Sequence, residues 1–418
     1  MNKLTKNLKV WEVPGIQHNK MLIEIILSLF LGIFAGTITG LIPGIHINLI
    51  GAILVSLSLS VIYFIQPIYL ISFIIAMAIT HTFVDFIPSI FLGCPDTDTE
   101  LSILPGHKLL KKGQGYEAII LTAYGSLAAI FMLILISFPS IIIIPKIYKY
   151  IENFIPFLLI IVLGILISLE KNKINSIKVI FLTGFLGYCV LNITELKEPL
   201  FPLLTGLFGS SMLILSIKNK IKIPKQKILK QNIKLKKMKK PLIGALFASP
   251  LCSFLPGLGS GQAAIIGNTI SKTDNKGFLI LLGATNTLVM GFSFISLYLI
   301  SKTRTGAAVA IKEITGNFSL EILILILIMI LITGIISFFI TKKLAEFFSN
   351  KISKINYTKI SIITLIFLSI IILIISNLLG FAVFLISTIT GLYSISLGVR
   401  RTNMMGCLLI PTILLYLL

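Results

Sequence analysis

Apolar runs dominate the chain and are mostly too long for the elements of a soluble domain. In the first half they cover about 21–40, 45–65, 68–93, 118–144, 154–169, 177–193 and 199–217. After a polar interval they resume at about 242–255, 260–270, 277–300, 320–340, 360–378, 379–398 and 404–418. A helix that crosses a bilayer takes about 20 apolar residues, so the pattern predicts an all-α polytopic membrane protein of about 10–12 spans. Several runs fall short of a span and are interrupted by Gly and Pro. These predict half-helices or re-entrant segments buried inside protein.

Composition supports the pattern. Of 418 residues, 56% are apolar and 12% charged, and the mean hydropathy is +1.02. A soluble domain is about one quarter charged. The balance excludes an ordinary soluble enzyme, a disordered chain and a nucleic-acid binder, despite a net charge of +21. Much of that charge is local: eleven of the 36 Lys and Arg lie between Lys218 and Lys240, with no acid among them. A lipid-headgroup or nucleic-acid patch is one reading. A cytoplasmic loop obeying the positive-inside rule is the favoured one. Lys3, Lys6, Lys9 and the 342–359 stretch are expected on the same side. The basic N-terminus runs into an apolar stretch with no small-residue cleavage site, so a retained first helix is predicted.

Cys94, Cys189, Cys252 and Cys407 are scattered without CxxC spacing. They read as small apolar packing residues, and neither a metal site nor a cofactor is expected. Gly32, Gly36 and Gly40 recur every fourth residue on the first helix, a spacing that lets helices pack closely in lipid. Glu24, near that helix's end, is expected to snorkel to the interface.

The two halves resemble each other. Gly40-Leu-Ile-Pro-Gly-Ile-His46 has a counterpart in Phe254-Leu-Pro-Gly-Leu-Gly-Ser260. Thr80-His-Thr-Phe-Val-Asp85 matches Thr285-Asn-Thr-Leu-Val-Met290, 205 residues on. Asp96-Thr-Asp-Thr99 matches Lys302-Thr-Arg-Thr305, and Thr205-Gly-Leu-Phe-Gly209 matches Thr390-Gly-Leu-Tyr393. Four matches in the same order predict two homologous repeats. The expected organisation is a basic segment (1–20), repeat 1 (21–217), a Lys-rich linker (218–241) and repeat 2 (242–418). Whether the repeat is inverted or parallel is left open by the sequence.

Paired interruptions in two repeats point to a substrate site near the bilayer midplane. Proline removes a donor and glycine relaxes the backbone, so Pro43-Gly44 and Pro256-Gly257 would break helices. A restarting helix offers unpaired N–H groups and a positive dipole end, suited to a carboxylate or phosphate. The candidate substrate-binding residues are Pro43, Gly44, His46, Asn48, Pro256, Gly257, Gly259, Ser260, Gln262, Asn286 and Arg304. An ordinary kink is the plainer alternative for either break. Asp85 lies inside an apolar run, where an ionisable group is costly and marks function by default. It is the candidate coupling residue for H+ or Na+, with Thr80 and Thr82 beside it; a cap before Pro88 is the alternative. Asp96 and Asp98 are opposite in charge to Lys302 and Arg304, and the two segments are expected either to meet or to draw in an anion.

Together these motifs resemble the TctA family, the large membrane subunit of tripartite tricarboxylate transporters, in a divergent prokaryotic branch. The resembling stretches are GLIPGIHIN (40–48), FIPSIFLGCPDTDTELSILPGHKLLKKGQGYEAI (86–119), FPLLTGLFG (201–209), LPGLGSGQAAIIGN (255–268) and KTRTGAA (302–308). The resemblance implies cation-coupled uptake of carboxylates with an extracytoplasmic binding protein and a small membrane subunit as partners. It places Pro43, Gly44, Pro256, Gly257 and Gly259 in ligand loops. The chain departs from the family pattern at Ile45-His-Ile-Asn48 and at Val84-Asp85-Phe86.

The leading function is therefore a multi-pass permease of the cell membrane for a small organic anion, coupled to H+ or Na+. A homo-oligomer remains open. A translocase for a lipid-linked polyprenyl phosphate carrier is the alternative, since twin Pro-Gly breaks and a basic surface would suit it too. No catalytic residue is assigned: an intramembrane aspartyl protease needs two aspartates, and only Asp85 is suitably placed.

Overall fold

A computed structural model describes residues 18–42, 65–93, 99–219, 224–228, 235–255, 258–302, 305–315, 318–354 and 357–417. The described residues form helices and the turns between them. In chain order these are α1 (His18–Leu41), α2 (Pro67–Val84), α3 (Phe86–Leu92), α4 (Ile103–Lys111), α5 (Gly115–Ile151), α6 (Ile155–Ser168), α7 (Lys173–Leu191) and α8 (Leu200–Leu204). A π-helical turn, Thr205–Ser210, leads into α9 (Ser211–Asn219). Then come α10 (Leu235–Phe254), α11 (Ser260–Ser271), α12 (Asn275–Ile300), α13 (Gly306–Thr315), α14 (Leu320–Lys351), α15 (Tyr357–Ser396) and α16 (Gly406–Leu417).

Among the described residues, seven stretches are long and apolar enough to cross a membrane: Met21–Leu41, Pro67–Leu92, Gly115–Ser168, Lys173–Leu191, Asn275–Ile300, Leu320–Lys351 and Thr358–Ser396. Two exceed one crossing. Gly115–Ser168 has 54 residues, and α15 breaks at Asn377, where φ is 58°. Burial sorts the spans into layers. Over an apolar 18-residue stretch of each, 94% of residues are buried in Asn275–Ile300 and 89% in Pro67–Leu92, against 22% in both Met21–Leu41 and Thr358–Ser396. The first two are the centre of the fold, and the last two present apolar side chains such as Phe34 and Ile374 outward, as lipid-facing helices must. One apolar cluster joins α1–α5 to α10–α14. A second links α6, α10, α11 and α16, and a third gathers α7, α8, α15 and α16 around Phe208.

Close contacts fix the helix directions. Glu117 pairs with Lys276, Gly125 lies against Ile280 and Ala284, and Leu133 against Gly291. The numbers rise together, so α5 and α12 run parallel. Tyr124 packs edge-on to Phe338 at 5.0 Å and Ile130 lies against Gly334, so α5 and α14 run antiparallel. Thr82 is level with Thr287 in mid-α12, while Phe91 reaches Gly115 at the start of α5. The α2–α3 rod therefore runs opposite to both α5 and α12.

Glycines allow the tightest of these approaches. A Cβ on Gly32 or Gly36 would sit 2.3 Å from the Phe73 carbonyl oxygen or 2.4 Å from that of Met77, and one on Gly40 would meet Val84. The four-residue glycine spacing on α1 thus serves packing against α2, as the sequence predicts, and α1 runs parallel to α2. A second seam joins α5 and α12. A Cβ on Gly283 would lie 2.0 Å from the Thr122 carbonyl, and Ser126 donates to the Gly283 carbonyl at 3.0 Å.

These directions divide the polar segments between two faces. The starts of α5 and α12 and the end of α14 share one, here called the lysine face. There the linker docks: the Lys227 N–H donates to the Gly113 carbonyl at 2.7 Å, and Gln226 bridges α4 to α5. Lys342, Lys343 and Lys351 at the end of α14 are on the expected side. Because α1 runs parallel to α2, its start stands at the opposite face, beside Pro67. Lys3, Lys6 and Lys9, expected on the linker's side, lie outside the described residues. Glu24 accepts a hydrogen bond from Tyr69 of α2 there instead of simply snorkelling.

In a cysteine-free background, single cysteines at His18 and Lys227 should react with an impermeant maleimide from opposite sides of the membrane. Labelling from one side would refute the helix directions. Gly36→Leu should lower the melting temperature in detergent, because overpacking costs about 1–3 kcal/mol. Gly164→Leu, where a Cβ meets nothing within 4 Å, should leave it nearly unchanged.

Candidate functional site

The rod α2–α3 is interrupted at Asp85. Pro88 has no N–H to offer the Val84 carbonyl, so the regular ladder cannot pass through this turn. Asp85 still keeps helical angles (φ −59°, ψ −21°), and its N–H donates to the His81 carbonyl at 3.0 Å. The break sets its carboxyl into the protein centre, where the residue is 4% exposed. An unpaired carboxylate there would be expensive. The Asn286 amide of α12 donates to Asp85 Oδ2 at 2.8 Å and reaches the Thr82 carbonyl at 3.4 Å. A hydrogen bond to a charged group is worth about 1.5–3 kcal/mol.

Hydroxyls surround this pair. Thr82 and Thr287 share a hydrogen bond of 3.2 Å, and Thr80 shares one of 2.9 Å with Ser337 on α14. Thr39 of α1 lies 3.2 Å from His81 Nδ1. Below the turn, Ser89 donates to the Asp85 carbonyl at 2.8 Å and meets Thr99 at 2.5 Å. Thr287 lies at the middle of α12, a helix of 26 residues. At 1.5 Å per residue it is about 20 Å from either end, the depth of a bilayer centre.

The second half supplies a half-length helix. α10 and α11 pack as a hairpin with Gly244 against Gly267. The polar turn after Ser271, with Asp274 capping α12 through the Gly277 N–H at 2.8 Å, sits at the lysine face. From there α11 runs back 12 residues, about 18 Å, so its N-terminus stands near mid-depth. Ala263 shares an apolar cluster with Leu255 and Val289, and Val289 is one turn beyond Asn286. The positive end of α11 is thus level with the Asp85–Asn286 pair.

The structure therefore brings Thr80, Thr82, Asp85 and Asn286 together, and places buried Gly259, Ser260 and Gln262 at the tip of α11. Gln262 differs from expectation. Its Oε1 accepts from the Gly259 N–H at 2.7 Å, so it caps its own helix and that oxygen is not offered to a ligand. Lys302 pairs with Glu152 at 2.6 Å and lies over the Tyr148 ring; Asp96 and Asp98, its expected counterparts, lie outside the described residues. That bond, at the face opposite the linker, raises the Lys302 pKa above its ordinary value. Pro43, Gly44, His46, Asn48, Asp96, Asp98, Pro256, Gly257 and Arg304 lie outside the described residues.

Sequence reasoning missed Thr39, Ser89, Thr99, Thr287 and Ser337. Thr287 carried a signal, because it is the counterpart of Thr82 in the matched segments. Thr99 ends the matched Asp96-Thr-Asp-Thr99 segment, whereas Thr39, Ser89 and Ser337 are isolated hydroxyls in apolar helices, where bonding to a helix's own carbonyls is commonplace.

No solved structure matches the chain. The chain is 35% identical over 284 residues to the uncharacterized protein MJ1079 of Methanocaldococcus jannaschii, covering 66% of this chain and 70% of that one. The sequence model of the Tripartite tricarboxylate transporter TctA family matches residues 26–406. A match over nearly the whole chain, on a helical membrane fold with a buried carboxylate at mid-depth, places this protein in the TctA family, the membrane subunits of tripartite tricarboxylate transporters.

Proposed function

We propose that this chain is the permease for a small organic anion, a carboxylate, and that uptake is driven by H+ or Na+ acting at Asp85. The observation that carries the reading is the Asp85–Asn286 bond at the centre of two antiparallel helices, level with the N-terminus of α11. A carboxyl among hydroxyls and an amide can take up a proton or offer oxygens to a small cation. The inward helix end supplies the complementary field for an anion. An anion beside a vacant Asp85 carboxylate is repelled. Neutralising Asp85 with the coupling ion removes that repulsion, and this links the two species.

The helix directions favour an inverted repeat, with residues 21–217 and 242–418 as the two units. Counterpart helices α2 and α12 run antiparallel, as do α5 and α14. Thr82 and Thr287, counterparts 205 residues apart, touch each other, as residues on a two-fold axis must. Such an axis lies in the membrane plane, and inverted repeats place substrate at their interface. With the lysine face cytoplasmic, the Lys302–Glu152 face would receive substrate. A small membrane subunit and an extracytoplasmic binding protein are the partners this reading expects.

Proteoliposomes holding the purified protein, with partner subunits where they exist, should accumulate a labelled carboxylate only under an imposed H+ or Na+ gradient. Asp85→Asn should reduce accumulation at least tenfold while leaving substrate exchange across the membrane. Gradient-driven accumulation that survives in Asp85→Asn would remove this residue from coupling. If no carboxylate is taken up and polyprenyl phosphate alone raises the melting temperature, the substrate class is wrong.

A further inference from the structure

The lysine-rich linker is more than a topological marker. Residues 224–228 are pinned to the protein at the α4–α5 turn. The Gln226 amide donates to the Leu110 carbonyl at 3.1 Å, and its oxygen accepts from the Gly115 N–H at 2.8 Å. The Lys227 N–H to Gly113 bond completes the strap. Exposed Lys225 and Lys227 are thereby held beside Lys108, Lys111 and Lys112, exposed on the last turns of α4. The start of α10 adds Lys236, Lys237, Lys239 and Lys240, all exposed. Two acids on this face are engaged, Glu117 with Lys276 and Asp274 with the Gly277 N–H, and Glu346 of α14 lies near Tyr116. His107 on α4 is held at about 4, chiefly by burial, with Lys111 and Arg401 adding to it.

Depth identifies what this surface meets. On α10, Leu235, Lys239, Ile243, Phe247 and Leu251 form one stripe at four-residue spacing. Ile243 is 49% exposed and Phe247 61%, on a face turned to lipid. Lys239 on that stripe is one turn, about 6 Å, from Ile243, so its ammonium lies at the headgroup layer. Pro241 packs by Gly277 at the start of α12, which sets the same level for α12's polar turn. Leu235 and Ile228 are exposed apolar neighbours of the lysines. Cations interleaved with apolar side chains at this depth match the boundary of an anionic leaflet.

We propose that the strap 224–228, the end of α4 and the first turns of α10 form a binding surface for the phosphate headgroups of acidic phospholipids. Phosphate oxygens meet fixed lysine ammoniums, and the acyl chains lie along Ile243 and Phe247. A soluble phosphate compound would find the same charges but no apolar stripe. The surface is independent of the transport reading, since none of its residues belongs to the Asp85 site.

The test uses the full chain in nanodiscs of phosphatidylcholine with increasing phosphatidylglycerol. The bound lipid is counted by native mass spectrometry and stability is read by melting temperature. Phosphatidylglycerol should be retained in preference to phosphatidylcholine and should raise the melting temperature, and 0.5 M NaCl should weaken both effects. Lys239→Gln should lower the preference about fivefold, the factor expected for one lysine at an anionic surface. Gln226→Ala, which keeps every charge but frees the strap, should lower it too. Equal retention of the two lipids, or an unchanged preference in a Lys225, Lys227, Lys236, Lys239 and Lys240 to Gln variant that still folds, would overturn the proposal. So would equal stabilisation by soluble pyrophosphate in phosphatidylcholine alone. Failure here would leave the uptake assay on Asp85 unaffected, and the reverse.

Discussion

A carboxyl group held in a low-dielectric centre is the constraint around which the rest of this protein is arranged. Asp85 is buried at the break between α2 and α3, and Asn286 supplies its donor from the opposite central helix. That bond is possible only if α2 and α12 cross at mid-length. The crossing in turn requires backbones to approach closely on both sides, through Gly32, Gly36 and Gly40 on one and Gly125 and Gly283 on the other. In lipid no hydrophobic force drives helices together, so this packing, with the interhelical hydroxyl and amide bonds, supplies the cohesion. The same polar groups that hold the centre are those a coupling ion would use.

The outer layers answer to different demands. α1 and α15 turn large apolar side chains outward, and α10 does so below a collar of lysines. The linker is tied to the α4–α5 turn by a glutamine and a backbone bond, so charge on that face is positioned rather than loose. At the other face Lys302 and Glu152 tie the segment after α12 to the end of α5. Both ties are at water level, while the Asp85 cluster is about 20 Å from either end of α12.

Membrane class, the glycine seam of α1 and the break at Asp85 were all legible in the sequence. Each follows from a local pattern: length of apolar runs, four-residue spacing, and an acid before a proline. The direction of α1 was not legible. It rests on parallel packing against α2, a tertiary property. The partner of Lys302 was hidden similarly, since Glu152 is 150 residues away and no local signal joins them. The Gln262 oxygen caps its own helix, a use that the Gly259-x-x-Gln262 spacing of a capping box signals. Asn286 lies in the matched segments as the counterpart of His81, and its bond to Asp85 joins the two central helices.

The claim that most needs testing is that Asp85 and Asn286 act as one pair across the two central helices. Exchanging the residues, Asp85→Asn with Asn286→Asp, moves the carboxyl across the contact while keeping one acid and one amide. Gradient-driven carboxylate accumulation in proteoliposomes should return in this double variant to within a few-fold of the native protein, although the Asp85→Asn single variant lacks it. A double variant that folds, by its melting temperature, yet accumulates no more than the single variant would contradict the account.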